Sequence, residues 1–314
     1  MHVLVIGASG FVGTPVVRRL RELGHGVATF HRGPGADVRG DRQNLPAFRE
    51  SFARLEPEVV VDAIAYTERD GAVLAATFRG LARRLVVLSS QDVYAAYGRF
   101  LGLEAGAPDP APAAEDAPLR SARYPYRATA RGPEDMAYEY DKILVEVAVS
   151  GHAELPATVL RLPCVYGPGD RQRRLREYLS PMDGGARAIL LGEAKASWRW
   201  TRGYVENVAD AIALAATDAR AVGRTYNLGE EEASTEAQWI RDIGLAAGWE
   251  GEVHVGEQLP KKVEPYDFTH DLMADTRRIR GELGYRERVE RDEALRVAVG
   301  WERTHPIENE PLGG

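Results

Sequence analysis

Cysteine is almost missing from this chain. Cys164 stands alone, so no disulfide can form within it, which fits a reducing compartment. Long apolar runs are missing too. Nothing approaches the ~18 residues that a membrane span requires, and the first residues read as a core strand, unlike a cleavable leader. The expectation is a cytoplasmic protein with no membrane partner. Histidine never falls in a ligand-like spacing, so no metal is expected. A surplus of positive charge is also lacking. The net charge is −7, which argues against nucleic acid as a partner. Lysine is confined to Lys142, Lys195, Lys261 and Lys262; the other bases are arginine. No internal repeat is present. What remains is ordinary globular composition, 44% hydrophobic and 28% charged. The 314 residues suffice for a large core in one or two domains.

The informative stretch comes first. Residues 2–6 read as an apolar strand, Gly7-Ala8-Ser9-Gly10-Phe11-Val12-Gly13 follows, and an amphipathic helix is expected over about 11–23. Strand, glycine loop and helix in that order make a dinucleotide site. Gly7 permits the sharp turn, Gly10 lets a pyrophosphate approach the backbone, and Gly13 lets the helix lie close to the sheet. The N–H groups of the helix start then face an anion. Ser9, Phe11 and Val12 fall within the same cradle.

A second strand, 27–30, ends at His31-Arg32-Gly33. An acid at that position bonds both ribose hydroxyls and repels a 2′-phosphate. The chain has His31 and Arg32 instead, and a guanidinium suits a phosphate. NADP is therefore favoured and NAD kept as the second option; the alternative is that Arg32 is a solvated surface residue. A third strand is read over 58–65, with the small Ala63 and Ala65 letting a cofactor approach. A buried strand at 85–88 leads to Ser89-Ser90-Gln91-Asp92-Val93-Tyr94, which puts the Ser90 hydroxyl where open α/β sheets bind ligands. Residues 104–119 are rich in Ala, Pro, Asp and Gly, and form either a flap over a site or inert surface.

The next helix is expected to start near Pro133 or Glu134 and run to about Ser150. On such a helix Tyr138 and Lys142, four apart, share a face. A phenol of pKa ~10 is a poor acid or base near neutrality, and a neighbouring ammonium favours its phenolate. A serine hydroxyl holding the substrate oxygen completes a site for proton transfer coupled to hydride transfer. Taken alone the pair is as readily a surface contact. A strand follows at 157–162, after which strict βα alternation ends. Further helices are read near 171–179, 208–217, 235–247, 275–283 and 292–301, with strands near 188–191 and 225–228. The tail 302–314 is expected to fray.

These motifs together resemble the extended or atypical short-chain dehydrogenase/reductase superfamily, in its NAD(P)-dependent epimerase/dehydratase branch. The resemblance rests on the Gly7–Gly13 loop, Ser90 to Tyr94, Tyr138 with Lys142, Arg161 through Gly169, Arg202-Gly203-Tyr204-Val205, and Tyr226-Asn227-Leu228-Gly229. It implies a Rossmann-like, doubly wound parallel sheet over 1–165, with segments of 203–230 returning to it. A smaller, mainly substrate-binding region then covers 166–314. It implies Ser90 and Tyr138 acting on the substrate oxygen, Lys142 on the cofactor ribose, Pro163 against the nicotinamide and Asp41 near the adenine. Tyr94, Arg199 and Arg202 fall on the substrate side, where the arginine matching Arg202 often grips a nucleotide-sugar diphosphate. A homodimer is compatible with the resemblance. Cys164 and His31-Arg32 depart from the nucleotide-sugar pattern, which has asparagine and an acid there. Both departures favour an oxidoreductase that reduces a small-molecule carbonyl, or oxidises the matching alcohol, over a nucleotide-sugar epimerase or dehydratase with retained NAD. A non-catalytic cofactor-sensing or RNA-binding relative is the third reading.

Overall fold

Consecutive β-branched and leucine side chains, apolar on both faces, build strands that are covered on both sides. Val59, Val60, Val61, Leu85, Val86 and Val87 are all completely buried. The computed structural model describes residues 1–256 and 265–305. The chain runs β1 (His2–Ile6), α1 (Gly13–Glu22), β2 (Gly26–His31), β3 (Val38–Arg39), α2 (Arg49–Leu55), β4 (Val59–Asp62), α3 (Glu68–Phe78), β5 (Arg84–Ser90) and α4 (Ala95–Phe100). Next come α5 (Lys142–Val149), β6 (Ala157–Leu162), β7 (Cys164–Tyr166), α6 (Arg176–Asp183), β8 (Ala188–Leu191) and α7 (Glu193–Ser197). The remainder is β9 (Arg202–Tyr204), α8 (Val205–Thr217), β10 (Thr225–Asn227), α9 (Glu236–Ala247), β11 (Glu252–Val255), α10 (Arg277–Leu283) and α11 (Arg291–Thr304).

Seven parallel strands form the main sheet in the order β10-β6-β5-β4-β1-β2-β3. The chain steps outward from β1 to β3, then restarts at β4 on the other side of β1. That reversal is the switch point at which such sheets bind ligands, beyond the carboxyl ends of the strands. Alternate residues of each strand serve opposite faces. Val3, Val5, Val59 and Val61 pack with α1 and α8, through Val16, Leu20, Ala211 and Ile212. Leu4, Ile6, Val60 and Leu85 pack with α3 and α5, through Leu74, Phe78, Val145 and Val149. α8 and β10 belong to this sheet assembly although they follow residue 200. Two small parallel pairs, β7 with β9 and β8 with β11, lie outside it.

The structure moves several expected boundaries. The helix expected from Pro133 or Glu134 begins at Lys142. Asp141 is its cap: extended at φ −159°, it accepts the Ile143 N–H, while its own N–H goes to the Tyr66 carbonyl. A chain held extended at this point cannot continue a helix backwards. The helix expected at 171–179 forms later, as α6. The start of the tail, 302–304, is the end of α11, anchored by the buried ion pair Arg173–Glu302 at 2.9 Å; the expectation for 306–314 lies outside the described residues. No helix among the described residues is long and apolar enough to cross a membrane.

Candidate active site

The turn after β1 forms a cradle that requires glycine at positions 7 and 13. Gly7 sits at φ +80°, where an L side chain is strained. A Cβ on Gly13 would lie 2.1 Å from the Gly7 carbonyl oxygen. The Gly10 N–H bonds that same oxygen at 3.0 Å. No side chain caps the start of α1, and its first turn carries no acid, so it presents backbone N–H groups toward an anion. Ser9 is exposed on the turn, and Phe11 and Val12 are half-buried beside it. This geometry fits a dinucleotide pyrophosphate.

At the end of β2, His31 accepts the Gly33 N–H on Nδ1 at 3.1 Å, fixing the bend. The Arg32 side chain is 82% exposed, its nearest acid Asp41 at 3.9 Å. Asp41 spends its other oxygen on the Gln43 N–H, capping the turn that follows. Arg39 donates to the Arg32 carbonyl at 2.9 Å and adds a second exposed guanidinium that sequence reading missed. Arg42, by contrast, is buried against Asp62 and Asp70; it ties β4 to α3 and offers nothing to a ligand. Ala63 and Ala65 follow β4, the first half-buried and the second fully buried.

Lys142 is 4% exposed. Its ammonium donates to the carbonyls of Ala65 at 2.6 Å and Leu88 at 2.8 Å, bridging the carboxyl ends of β4 and β5. Burial lowers its pKa to about 8, although Asp92 and Asp62 pull the other way. The tyrosine set before it is arranged differently from the expectation. Tyr138 lies in a turn, its carbonyl held by Arg127 at 3.0 Å and its ring under that guanidinium at 4.8 Å. Tyr140 instead reaches the cavity at the carboxyl ends of β5 and β6, a space of ≈ 200 Å³ that Ser90, Tyr126 and Pro163 also line. Because α5 begins only at Lys142, Tyr138 and Lys142 do not share a helix face. The arrangement brings Ser90 and Tyr140 together and leaves Tyr138 outside.

The Tyr140 hydroxyl donates to Asp92 Oδ2 at 2.7 Å. Burial, then the Asp92 charge, raises the Tyr140 pKa well above the ordinary phenol value, and the Ser90 hydroxyl opposes this. Asp92 is itself raised by burial, with Arg120 opposing. Cys164, on the cavity wall, is raised by burial to about 11. Tyr94 lines the cavity too, but its hydroxyl is committed to Asn227 at 2.6 Å and receives Arg161 at 3.0 Å. The 104–119 stretch takes the flap position: Asp109, Pro110, Ala113 and Ala117 line the cavity, and a bridge from Ala113 to Ala274 pins the loop.

The two arginines expected on the substrate side do not enter the cavity. Arg202 is 4% exposed, bonds the Glu236 carboxylate and lies 4.4 Å over the Trp239 ring. Glu236 in turn accepts the Tyr178 hydroxyl at 2.6 Å. Arg199 is exposed and donates to the Ala233 carbonyl at 2.8 Å. Trp198 and Trp200, which flank Arg199, build an aromatic cluster, with Trp198 stacked on Phe100 at 5.0 Å; of the pair only Trp200 reaches the cavity. Among the described residues no group of three or more His, Cys, Asp or Glu could hold a metal ion.

A parallel sheet with a glycine turn after its first strand, and a hydroxyl-lined cavity at the same edge, defines a nucleotide-dependent α/β enzyme. The chain belongs to the NAD dependent epimerase/dehydratase family, which matches residues 3–229. It is 28% identical to the 3-diazoavenalumate denitrifying reductase of a Streptomyces species, over 100% of this chain and 99% of that one. It is 26% identical to the 2-alkyl-3-oxoalkanoate reductase of Stenotrophomonas maltophilia strain K279a, over 79% of this chain and 76% of the relative. The structure of UDP-glucose 4-epimerase from Thermotoga maritima shares the fold, with a TM-score of 0.69 at 19% identity, over 97% of this chain and 99% of that one.

Proposed function

We propose that the chain is an NADP-preferring oxidoreductase that reduces the carbonyl of a small molecule. The observation that carries this reading is that Ser90 and Tyr140 line one cavity with Pro163, at the same edge of the sheet as the glycine cradle. The residues that would hold the cofactor are Gly7, Ser9, Gly10, Phe11, Val12 and Gly13 for its pyrophosphate, Arg32 for a 2′-phosphate, with His31 and Asp41 beside it. Ala63, Ala65, Lys142 and Pro163 would line its nicotinamide half. When bound, a reduced nicotinamide supplies a hydride to the carbonyl carbon. Ser90 binds the carbonyl oxygen, and Tyr140 gives it a proton, taking the role that the resemblance assigned to Tyr138. The exposed Arg32 supports NADP because it follows the end of β2, where an acid would reject a 2′-phosphate, and Arg39, bonded to the Arg32 carbonyl, adds a second exposed arginine on β3. Two relatives that are named reductases support the direction.

The runner-up is a nucleotide-sugar epimerase or dehydratase with retained NAD. The buried Arg202–Glu236 pair weighs against it, since the cation best placed by resemblance to meet a diphosphate is already neutralised. A fluorescence titration of the apo protein with NADPH, NADH and UDP tests both readings. Preference for NADPH with no UDP binding supports the reductase. Preference for NADH together with UDP binding supports the nucleotide-sugar enzyme. Binding of NADPH with no turnover of any carbonyl leaves the cofactor-sensing reading.

A further inference from the structure

We infer that Asp92 is a positioning residue: its carboxylate holds Tyr140 as the neutral phenol that carbonyl reduction needs as its proton donor, and keeps it so to higher pH. The inference rests on the reductase reading above and deepens it. Ordinarily an ammonium next to a tyrosine favours the phenolate. In this chain the group in contact with the phenol is a carboxylate. Tyr140 donates to Asp92 Oδ2 at 2.7 Å, whereas the Lys142 ammonium stands 5.9 Å from the Tyr140 ring and spends hydrogens on two backbone carbonyls. Asp92 is 5% exposed, and its Oδ1 is buried without a hydrogen bond.

The other charged and titratable groups facing the pair leave this balance in place. The Tyr126 hydroxyl lies 3.2 Å from Asp92 Oδ2 and 3.0 Å from the Tyr97 hydroxyl. Arg120 comes within 4.0 Å of Asp92 Oδ1, but it is also paired with Asp141 at 3.3 Å and bonded to the Asp92 and Ala122 carbonyls. The Tyr66 ring stacks on that of Tyr140 at 6.0 Å. A negative charge in hydrogen-bond contact disfavours a second negative charge on the phenol oxygen. Reduction consumes a hydride and a proton. The hydride comes from the reduced nicotinamide; the phenol O–H breaks, the alcohol O–H forms, and the phenolate regains its proton from solvent. Reduction needs the phenol at the outset, and that is the form Asp92 maintains.

Tyrosinate absorbance measured against pH tests this without cofactor or substrate, so its failure would leave the reductase reading standing. Loss of NADPH turnover with the titration as expected would sink that reading alone. The difference between the intact protein and its Tyr140→Phe variant isolates Tyr140. The expected result is no tyrosinate from Tyr140 up to the ordinary phenol value of about 10; a titration clearly below that value overturns the inference. Asp92→Asn is expected to lower the Tyr140 titration by about one pH unit or more, and to move the alkaline limb of kcat/KM for reduction the same way. Asp92→Glu should restore both. A folded Asp92→Asn protein with reduced activity but an unmoved limb also overturns it. Should that variant not fold, Asp92→Ser takes its place: the same downward shift of the Tyr140 titration is expected, and an unmoved titration overturns the inference.

Discussion

Tyr138 and Tyr140 are two residues apart and end in different surroundings, Tyr138 under the Arg127 guanidinium and Tyr140 on the cavity wall against Asp92. Substitutions at the two positions should therefore differ, although the local sequence does not separate them. Tyr140→Phe removes the hydroxyl proposed as proton donor and is expected to lower kcat for NADPH-linked reduction by about 10²–10⁴-fold. Tyr138→Phe removes a hydroxyl from a half-exposed turn and should leave kcat within about threefold. Steady-state assays of both variants check this, and the opposite order assigns the chemistry to Tyr138.

Arg32 is 82% exposed, so its removal costs the fold nothing measurable. A charge-assisted bond to a phosphate is worth about 1.5–3 kcal/mol. Arg32→Ala should weaken NADPH by about 10- to 100-fold and leave NADH unchanged. Equal losses for both cofactors, by fluorescence titration, would remove Arg32 as the phosphate reader.

Two glycines make opposite predictions. A Cβ on Gly13 meets the Gly7 carbonyl at 2.1 Å, and backbone cannot step aside as a flexible side chain can. Gly13→Ala should cost about 1–3 kcal/mol of stability and abolish detectable NADPH binding. In α11, Gly300 has nothing within 4 Å of its would-be Cβ. Gly300→Ala should stabilise by about 0.5–1 kcal/mol and leave binding alone. Thermal melts with and without NADPH read both.

Cys164 lines the cavity, yet its thiol is pushed by burial to about 11. Thiolate is the reactive form. At pH 7 only about one thiol in ten thousand is ionised for such a pKa, and the fraction grows as pH climbs toward that value. Alkylation of the folded protein should be negligible at neutrality, faster with rising pH, and rapid once the chain is unfolded. Prompt labelling of the native protein at neutral pH would contradict the burial argument.

Much of this was legible before the structure, because it is local. The run from His2 to Ile6 and the glycines after it state their geometry in the residues themselves. Ser90 at the end of an apolar strand and the basic end of β2 are equally local. The start of α5 does have a local signal: Asp141, a good cap, directly before Lys142 and Ile143. Other features could not be read, because they are made by distant partners. Tyr140 turns inward because Asp141 bonds the Tyr66 carbonyl and pairs with Arg120. Arg202 is neutralised by Glu236, on a helix 34 residues further along. No spacing rule announces either contact.

The fate of the cofactor during turnover separates the reductase from the nucleotide-sugar enzyme most directly. The protein is incubated with NADPH and a panel of small carbonyl compounds, and absorbance at the reduced nicotinamide band is followed. A net loss that tracks the carbonyl consumed and disappears in Tyr140→Phe is expected of an NADPH-linked reductase. No net loss with any carbonyl, together with conversion of a nucleotide sugar by the NAD-loaded protein, would contradict that reading.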